Sequence, residues 1–209
     1  MQRFKKIISV MVFLRYLMKF GGITIMGILA INGSSRENSN SDVMLTCLLK
    51  GIEHNEIKLK HYAIQPIWDQ RHSQKIWRAA DDDYDQLLTK LIASKTIIFA
   101  TPIYWYGVSG LLKNFIDRWS ESLATVPNFR EIIKNKRIYV LIVGGDAPHI
   151  KGLPIIEQFN YICEFLNWQF VDYVIGKGNM PSDVLKDKFA MQKLQQLNTQ
   201  LNGGINNEQ

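Results

Sequence analysis

The stretch ITIMGILAINGSSRENSNS, residues 23–41, decides the fold because it joins a continuous apolar run to a polar segment. A run such as Ile23–Ile31 is typical of a strand that is buried on both faces of a sheet. After the polar segment, one apolar face of a helix is predicted by the spacing of Val43, Met44, Cys47 and Leu48. A buried strand, a polar loop and an amphipathic helix together indicate the first part of a βαβ unit.

The same alternation continues along the chain. Further strands are predicted at Ile57–Ile64, Lys95–Ala100, Arg137–Val143 and Phe170–Ile175. Helices are predicted at Asp42–Lys50, Tyr84–Ala93, Gly110–Leu123 and Pro154–Leu166. The acidic run Asp81–Asp83 is expected to cap the helix that begins at Tyr84. Ser182 is expected to cap a final helix, which frays from Asn202 onward. Apolar strands that alternate with helices predict an α/β fold, a parallel sheet with helices on both faces. Such sheets bind ligands at the carboxyl ends of their strands.

Composition limits the class of protein. The 209 residues suffice for one α/β domain, expected over residues 23–209. Five of the six net positive charges lie in residues 1–22, so the body lacks the concentrated basic face of a nucleic-acid-binding protein. Two distant cysteines, Cys47 and Cys163, favour structural thiols in a reducing compartment, and hence a cytoplasmic protein without a metal site.

The basic segment 1–22 is expected to be a disordered or mis-started extension rather than part of the domain. Its apolar run Ile7–Leu14 is ended by Arg15, and this run is too short for an integral membrane segment. A signal peptide is not favoured because no small-residue cleavage site follows. A basic amphipathic arm that touches a membrane surface stays open as an alternative.

Three loops at the predicted carboxyl edge carry the functional signal. The first, Asn32–Ser41, offers hydroxyls, amides and backbone N–H groups at a helix start, a combination that suits a phosphate; Arg36 adds a positive charge. A polar turn with a helix cap is the structural alternative.

The second loop, Thr101–Gly110, contains three adjacent aromatic residues that suit a flat ring system. Of the three, Tyr106 is the one expected in the core or in a subunit contact. The third contains the glycine pair Gly144 and Gly145, which permits close approach to a ligand edge.

Together these loops resemble the NAD(P)H-dependent FMN reductases of the flavodoxin-like superfamily, which include bacterial NAD(P)H:quinone-type oxidoreductases. The resemblance is carried by Ile28–Ser41, Ala100–Trp119 and Val140–Asp146. It implies a flavodoxin-like, five-stranded parallel sheet in the order 2-1-3-4-5. The sequence departs from the related iron-sulfur flavoproteins, which carry a cysteine cluster after the second strand. Residues 66–72, at the corresponding place, contain no cysteine, and an iron-sulfur centre is therefore excluded.

The resemblance also implies cofactor-binding residues. The FMN phosphate would be held by Ser34, Arg36, Ser39, Asn40 and Ser41. The isoalloxazine would be lined by Thr101, Pro102, Ile103, Tyr104 and Trp105, approached by backbone N–H groups near Gly107 and Val108, and bordered by Gly144 and Gly145. No protein residue is expected to be catalytic, because the cofactor carries the hydride chemistry.

By the same resemblance, the protein is an FMN-dependent oxidoreductase. It would pass two electrons from NADPH or NADH to a quinone, a flavin or another small-molecule acceptor. A homodimer or homotetramer is implied. Two alternatives stay open at this point: a flavodoxin-type electron carrier, disfavoured by the basic composition, and a flavin-free scaffold or regulatory protein of the same fold.

Overall fold

The described part of the chain is an α/β structure built on a parallel sheet. The computed structural model describes residues 26–70, 72 and 80–206, so the basic segment 1–22 and the first residues of the predicted first strand lie outside the described residues. The sheet order is β2-β1-β3-β4-β5 and all pairs are parallel, as the sequence predicts. The strands are β1 (Met26–Asn32), β2 (Asn55–Lys58), β3 (Ser94–Pro102), β4 (Arg137–Gly144) and β5 (Gln169–Lys177).

Helices cover both faces of this sheet. Their bounds are α1 (Asn40–Leu48), α2 (Tyr84–Ala93), α3 (Gly110–Asp117), α4 (Trp119–Thr125), α5 (Phe129–Ile133), α6 (Pro148–Lys151), α7 (Leu153–Leu166) and α8 (Lys188–Asn206). Two short 3-10 turns, Leu59–His61 and Asp183–Lys186, complete the regular structure of the described residues. No helix in residues 26–70 or 80–206 is long and apolar enough to cross a lipid bilayer.

Alternate residues of the central strands enter two separate cores. In β1, Leu29 and Ile31 belong to the core beneath α2, α3 and α7. Ile28 and Ala30 belong to the core on the opposite face, beneath α1 and α8. All four side chains are buried, so the continuous apolar run is explained by a strand covered on both sides.

Two predicted boundaries are wrong because tertiary packing ends the elements early. The second strand stops at Lys58 rather than Ile64, since Leu59 turns into the core and its carbonyl accepts the N–H of Tyr62 at 3.1 Å. The predicted helix Gly110–Leu123 is divided into α3 and α4 at Arg118.

The predicted caps are also partly different. Ser182 has φ +63° and makes no side-chain cap, and the final helix begins later, where Asp187 Oδ1 accepts the N–H of Ala190 at 3.1 Å. That helix continues past Asn202 to Asn206. The carboxylate of Asp83 does not cap α2 but accepts the N–H of Ala63 at 2.8 Å, whereas Asp82 Oδ1 accepts the N–H of Tyr84, the first residue of α2, at 3.1 Å. The acidic run therefore serves the helix start, as predicted, and also fastens the preceding loop.

Lys136 is a buried lysine that has no carboxylate partner among the described residues, and it provides a test of the fold by pH. Its Nζ donates to the carbonyls of Ile92, at 3.0 Å, and Ser94, at 2.6 Å, at the end of α2. Burial lowers its pKa to about 8 from an ordinary value of 10.5. Between these two pH values the unfolded chain binds more protons than the folded one, so the contribution of Lys136 to stability rises with pH.

We therefore expect the free energy of unfolding of the wild type, minus that of Lys136→Met, to rise by about 2 kcal/mol between pH 7.5 and pH 10. Urea unfolding followed by tryptophan fluorescence at several pH values measures the difference, in which the titration of all other groups cancels. A difference that is constant with pH would show that the lysine keeps its ordinary pKa in the folded protein.

Candidate functional site

The loop after β1 begins α1 with a capping box. Ser39 Oγ donates to Asp42 Oδ2 at 2.7 Å and accepts the N–H of Asp42 at 3.1 Å. Asp42 also forms an ion pair with Lys58 Nζ at 2.9 Å. Burial opposes the charged carboxylate, but the hydrogen bonds from Lys58 and Ser39 outweigh it and lower the pKa of Asp42. The hydroxyl of Ser39 therefore serves the helix start, and the negative charge beside it is balanced by Lys58.

Other polar residues of this loop reach the segment after β5. The Nη1 of Arg36 donates to the carbonyl of Asn179 at 2.8 Å. Asn40 donates through Nδ2 to the carbonyl of Met180 at 3.0 Å, and its Oδ1 accepts the N–H of Val184 at 3.2 Å. These bonds fix the segment after β5 against the start of α1, so both segments form one wall.

Ser41 is the exception among these residues. Its side chain is buried in the first turn of α1, and its Oγ has no hydrogen-bond partner in the described part of the molecule. A buried hydroxyl without a partner is costly, and it is satisfied by a ligand that brings an acceptor oxygen. At a helix N-terminus, an anionic oxygen is favoured further by the helix dipole.

A cavity of about 80 Å³ lies at this point. Ten of the predicted cofactor-binding residues line it: Ser34, Arg36, Ser39, Asn40, Ser41, Pro102, Ile103, Tyr104, Gly144 and Gly145. The volume is well below the roughly 300–1,000 Å³ of a pocket that encloses a whole cofactor. It therefore matches a phosphate-sized group rather than a whole cofactor.

Thr101 is placed beneath the cavity rather than along it. Its side chain is fully buried, and its Oγ1 accepts the N–H of Ser109 at 3.0 Å. Ser109 Oγ in turn donates to the carbonyl of Gly33 at 2.6 Å. A Cβ on Gly33 would lie 2.8 Å from Ser109 Oγ, so only glycine allows this close approach of the first two loops.

The aromatic residues of the second loop form a tight turn that projects from the surface. Tyr104 and Gly107 pair as an antiparallel bridge, with N–H to carbonyl distances of 3.0 Å in both directions. Trp105 and Tyr106 between them have φ +49° and φ +63°, a left-handed conformation that is strained for non-glycine residues. Trp105 is 96% exposed. Strain beside a cleft, with a large ring held in solvent, is typical of a binding loop.

Several predicted contacts of this loop are differently placed. Trp105, Gly107 and Val108 lie outside the cavity lining. The N–H of Gly107 already donates to Tyr104, so it reaches a cofactor only if that bond opens. Tyr106 is not in the core: it is half exposed, and its hydroxyl donates to Asp146 Oδ2 at 3.0 Å.

The third loop completes the cavity with two glycines and with residues that the sequence did not indicate. A Cβ on Gly144 would lie 3.1 Å from Ile103 Cδ1, and one on Gly145 would lie 3.3 Å from Asn179 Cβ. Val143, Gly178 and Asn179 were not predicted but also line the cavity. The strand order could have indicated these residues, because β5 lies beside β4. The loop after β5 therefore reaches the same carboxyl edge of the sheet as the loop after β4.

The parallel sheet order and a phosphate-sized cavity at the carboxyl ends of β1, β3 and β4 are the arrangement of a flavodoxin-like fold. The family model of the NADPH-dependent FMN reductases matches residues 26–159. The chain belongs to this family of oxidoreductases.

Individual relatives agree with this assignment. The chain is 46% identical over 168 residues to YwqN of Bacillus subtilis, named an NAD(P)H-dependent FMN-containing oxidoreductase, covering 79% of this chain and 93% of YwqN. It is 29% identical to an FMN-dependent NADH:quinone oxidoreductase of Aromatoleum aromaticum, over 58% of this chain and 63% of that protein. The solved structure of a Trp repressor binding protein from Bacillus subtilis matches with a TM-score of 0.69 and 41% identity, covering 81% of this chain and 98% of that one.

Proposed function

We propose that the protein binds FMN without a covalent bond and passes two electrons from NAD(P)H through it to a small-molecule acceptor. The observation that carries the proposal is the buried Ser41 hydroxyl, which has no partner in the described structure and lines a phosphate-sized cavity. Membership of the NADPH-dependent FMN reductase family supports the same cofactor.

In this proposal the protein binds and orients. Ser41 Oγ would donate to the phosphate at the positive end of the α1 dipole, and Arg36 supplies a positive charge that its bond to Asn179 leaves at the cavity wall. Ile103, packed on Gly144, would contribute an apolar surface for the flavin ring. The bound FMN supplies the hydride-accepting and electron-donating chemistry.

A quinone is the acceptor class that we propose. The name of the Aromatoleum aromaticum relative supports it, as does the open side of the site, where the Trp105 ring stands in solvent. Nucleotide and acceptor would use the same open side in turn, and ping-pong kinetics are expected. We place the protein in the cytoplasm, where NAD(P)H is available and the free thiols of Cys47 and Cys163 stay reduced.

The assembly that we propose is a homodimer or homotetramer, as the family resemblance implies. The exposed apolar side chains around the site, Trp105 and Ile150, are consistent with a contact between copies there. Sedimentation of the purified chain measures the assembly directly.

The visible absorption spectrum of the purified protein tests the proposed function. We expect flavin bands that bleach within seconds when NADPH or NADH is added without oxygen and return when a quinone is added. Bands that resist both nucleotides would indicate an electron carrier instead. A protein that contains no flavin and takes up none from excess FMN would contradict the proposal.

A further inference from the structure

A second, larger cavity lies on the other side of the wall formed by Gly145, Gly178 and Asn179. It has a volume of about 580 Å³, which is in the range of pockets that take small organic molecules. The three wall residues line both cavities. Whatever occupies the larger cavity therefore lies next to the proposed cofactor site, at the carboxyl ends of β4 and β5.

The lining of this cavity combines one exposed aromatic ring with several cations. Phe189 at the start of α8 is 84% exposed, although a phenyl ring is usually covered in a folded protein. The cationic side chains are Lys177, Lys186 and Lys188, and the imidazole of His149 also lines the cavity. Lys177 and Lys188 form no side-chain ion pair within residues 26–70, 72 and 80–206.

The two carboxylates of the lining offset part of this charge, but the three lysines outnumber them and neither forms an ion pair with Lys177 or Lys188 among the described residues. Asp187 is turned toward backbone, where it accepts the N–H groups of Lys177 at 2.9 Å and Ala190 at 3.1 Å, and His149 Nε2 lies 3.4 Å from it. Asp183 accepts the N–H of Met180 at 2.7 Å and pairs with Lys186 at 2.8 Å. Asp183 is paired with Lys186, and Asp187 is held by backbone N–H groups, so the side chains of Lys177 and Lys188 are available to attract an anion.

We propose that this cavity binds an aromatic anion, meaning a planar ring system that carries an oxyanion group, with Phe189 against the ring and Lys177 and Lys188 beside the charge. The proposal rests on the proposed function in one respect, since the anion is part of a substrate of the neighbouring flavin site. Two substrates have this chemistry: an acidic aromatic electron acceptor and the phosphorylated adenosine end of the nicotinamide nucleotide. Ring contacts and charge attraction are each modest at an exposed site and add to one another.

Calorimetric titration of the purified full-length protein with anthraquinone-2-sulfonate, and with the neutral 2-(hydroxymethyl)anthraquinone, tests the proposal. We expect the sulfonate to bind the wild type about five- to tenfold more tightly than the neutral compound. The double variant Lys177→Gln/Lys188→Gln should lose this preference, and Phe189→Ala should weaken both compounds by about three- to tenfold.

Two control variants remove the same groups elsewhere. Lys50→Gln removes an exposed charge at the end of α1, and Phe165→Ala removes a half-exposed ring of α7; neither residue lines the cavity. Both controls should bind the two compounds as the wild type does. Equal binding of the two compounds by the wild type, or a preference that survives in the double lysine variant, would overturn the proposal.

Competition identifies which substrate supplies the anion. Displacement of the sulfonate by adenosine 2′,5′-bisphosphate would support the site and assign it to the nucleotide, and absence of displacement would support it as an acceptor site. These titrations need no turnover. A protein that fails to reduce quinones but prefers the sulfonate would contradict only the proposed function, whereas an active flavoprotein without the preference would contradict only this inference.

Discussion

The Ser41→Asp variant is expected to bind FMN at least about a hundredfold more weakly than the wild type, because it places a carboxylate against the phosphate. Ser41 is the residue whose buried hydroxyl is free to donate to that phosphate. The substitution removes a donor and adds repulsion between two negative groups in a partly enclosed cavity. Ser41→Ala, which only removes the donor, should weaken binding by about tenfold.

In the Ser41→Asp variant the helix dipole favours the new carboxylate while its burial opposes it, so thermal unfolding of the flavin-free variant must accompany the affinity measurement. Ser35→Asp is the matched control: it adds the same charge to the same loop at an exposed position outside the cavity lining. Quenching of FMN fluorescence on titration with flavin-free protein gives the dissociation constants, and thermal unfolding checks the fold. If Ser41→Asp and Ser35→Asp lowered the affinity equally, the phosphate would not lie at Ser41.

The sequence predicted well the features that depend on residues close together in the chain. The apolar run that ends at Asn32 predicts a doubly buried strand, and β1 has alternate residues in two cores. The polar loop after it predicts a phosphate site at a helix start; the structure has a cavity lined by Ser34 and Ser41 there, and binding of a phosphate in it stays a prediction. In both cases the physical cause acts within one strand or one turn, so a short window contains the information.

The features that the sequence did not indicate depend on contacts between distant segments. Arg36 and Asn179 are separated by 143 residues, and their hydrogen bond joins the loop after β1 to the segment after β5. Asn40 was predicted as a phosphate contact, but both ends of its amide are engaged by that segment. Its place in the cavity lining leaves its role toward FMN a prediction.

The late start of the final helix has a similar cause. Ser182 and Asp187 are both residue types that cap helices, and the local pattern does not choose between them. The choice follows from Val184, which is fully buried and packs on Gly176, where a Cβ would lie only 2.6 Å from Val184 Cγ2. Holding Val184 in that contact requires a 3-10 turn over Asp183–Lys186, so α8 begins after Asp187.

The Arg118→Met variant is expected to lose about 3–5 kcal/mol of the free energy of unfolding, because it leaves two buried carboxylates without their cation. The side chain of Arg118 is 2% exposed. Its Nη1 lies 2.6 Å from Asp82 Oδ2, and its Nε lies 2.6 Å from Glu121 Oε2. The guanidinium also lies over the ring of Tyr84, with Cζ 4.4 Å from the ring centroid.

This ion cluster fastens the loop between β2 and α2 as well as the split between α3 and α4. Arg118 Nη1 donates to the carbonyl of Gln65 at 3.3 Å, and Asp82 Oδ2 accepts the N–H of Gln65 at 2.8 Å. Urea unfolding followed by tryptophan fluorescence measures the loss. Lys113→Met, which breaks the exposed pair with Asp117, is the matched control and should change stability by less than about 0.5 kcal/mol.

A triple variant, Arg118→Met with Asp82→Asn and Glu121→Gln, separates the two causes of the expected loss. If the loss comes from carboxylates buried without a cation, neutralising both should restore at least about half of it, although the cation has not returned. If the loss comes from the packing of the Arg118 side chain on Tyr84, the triple variant should be as unstable as Arg118→Met or more so. Restoration would mean that Arg118 is required here because of the two carboxylates beside it, one of which, Asp82, also accepts the backbone N–H of Gln65.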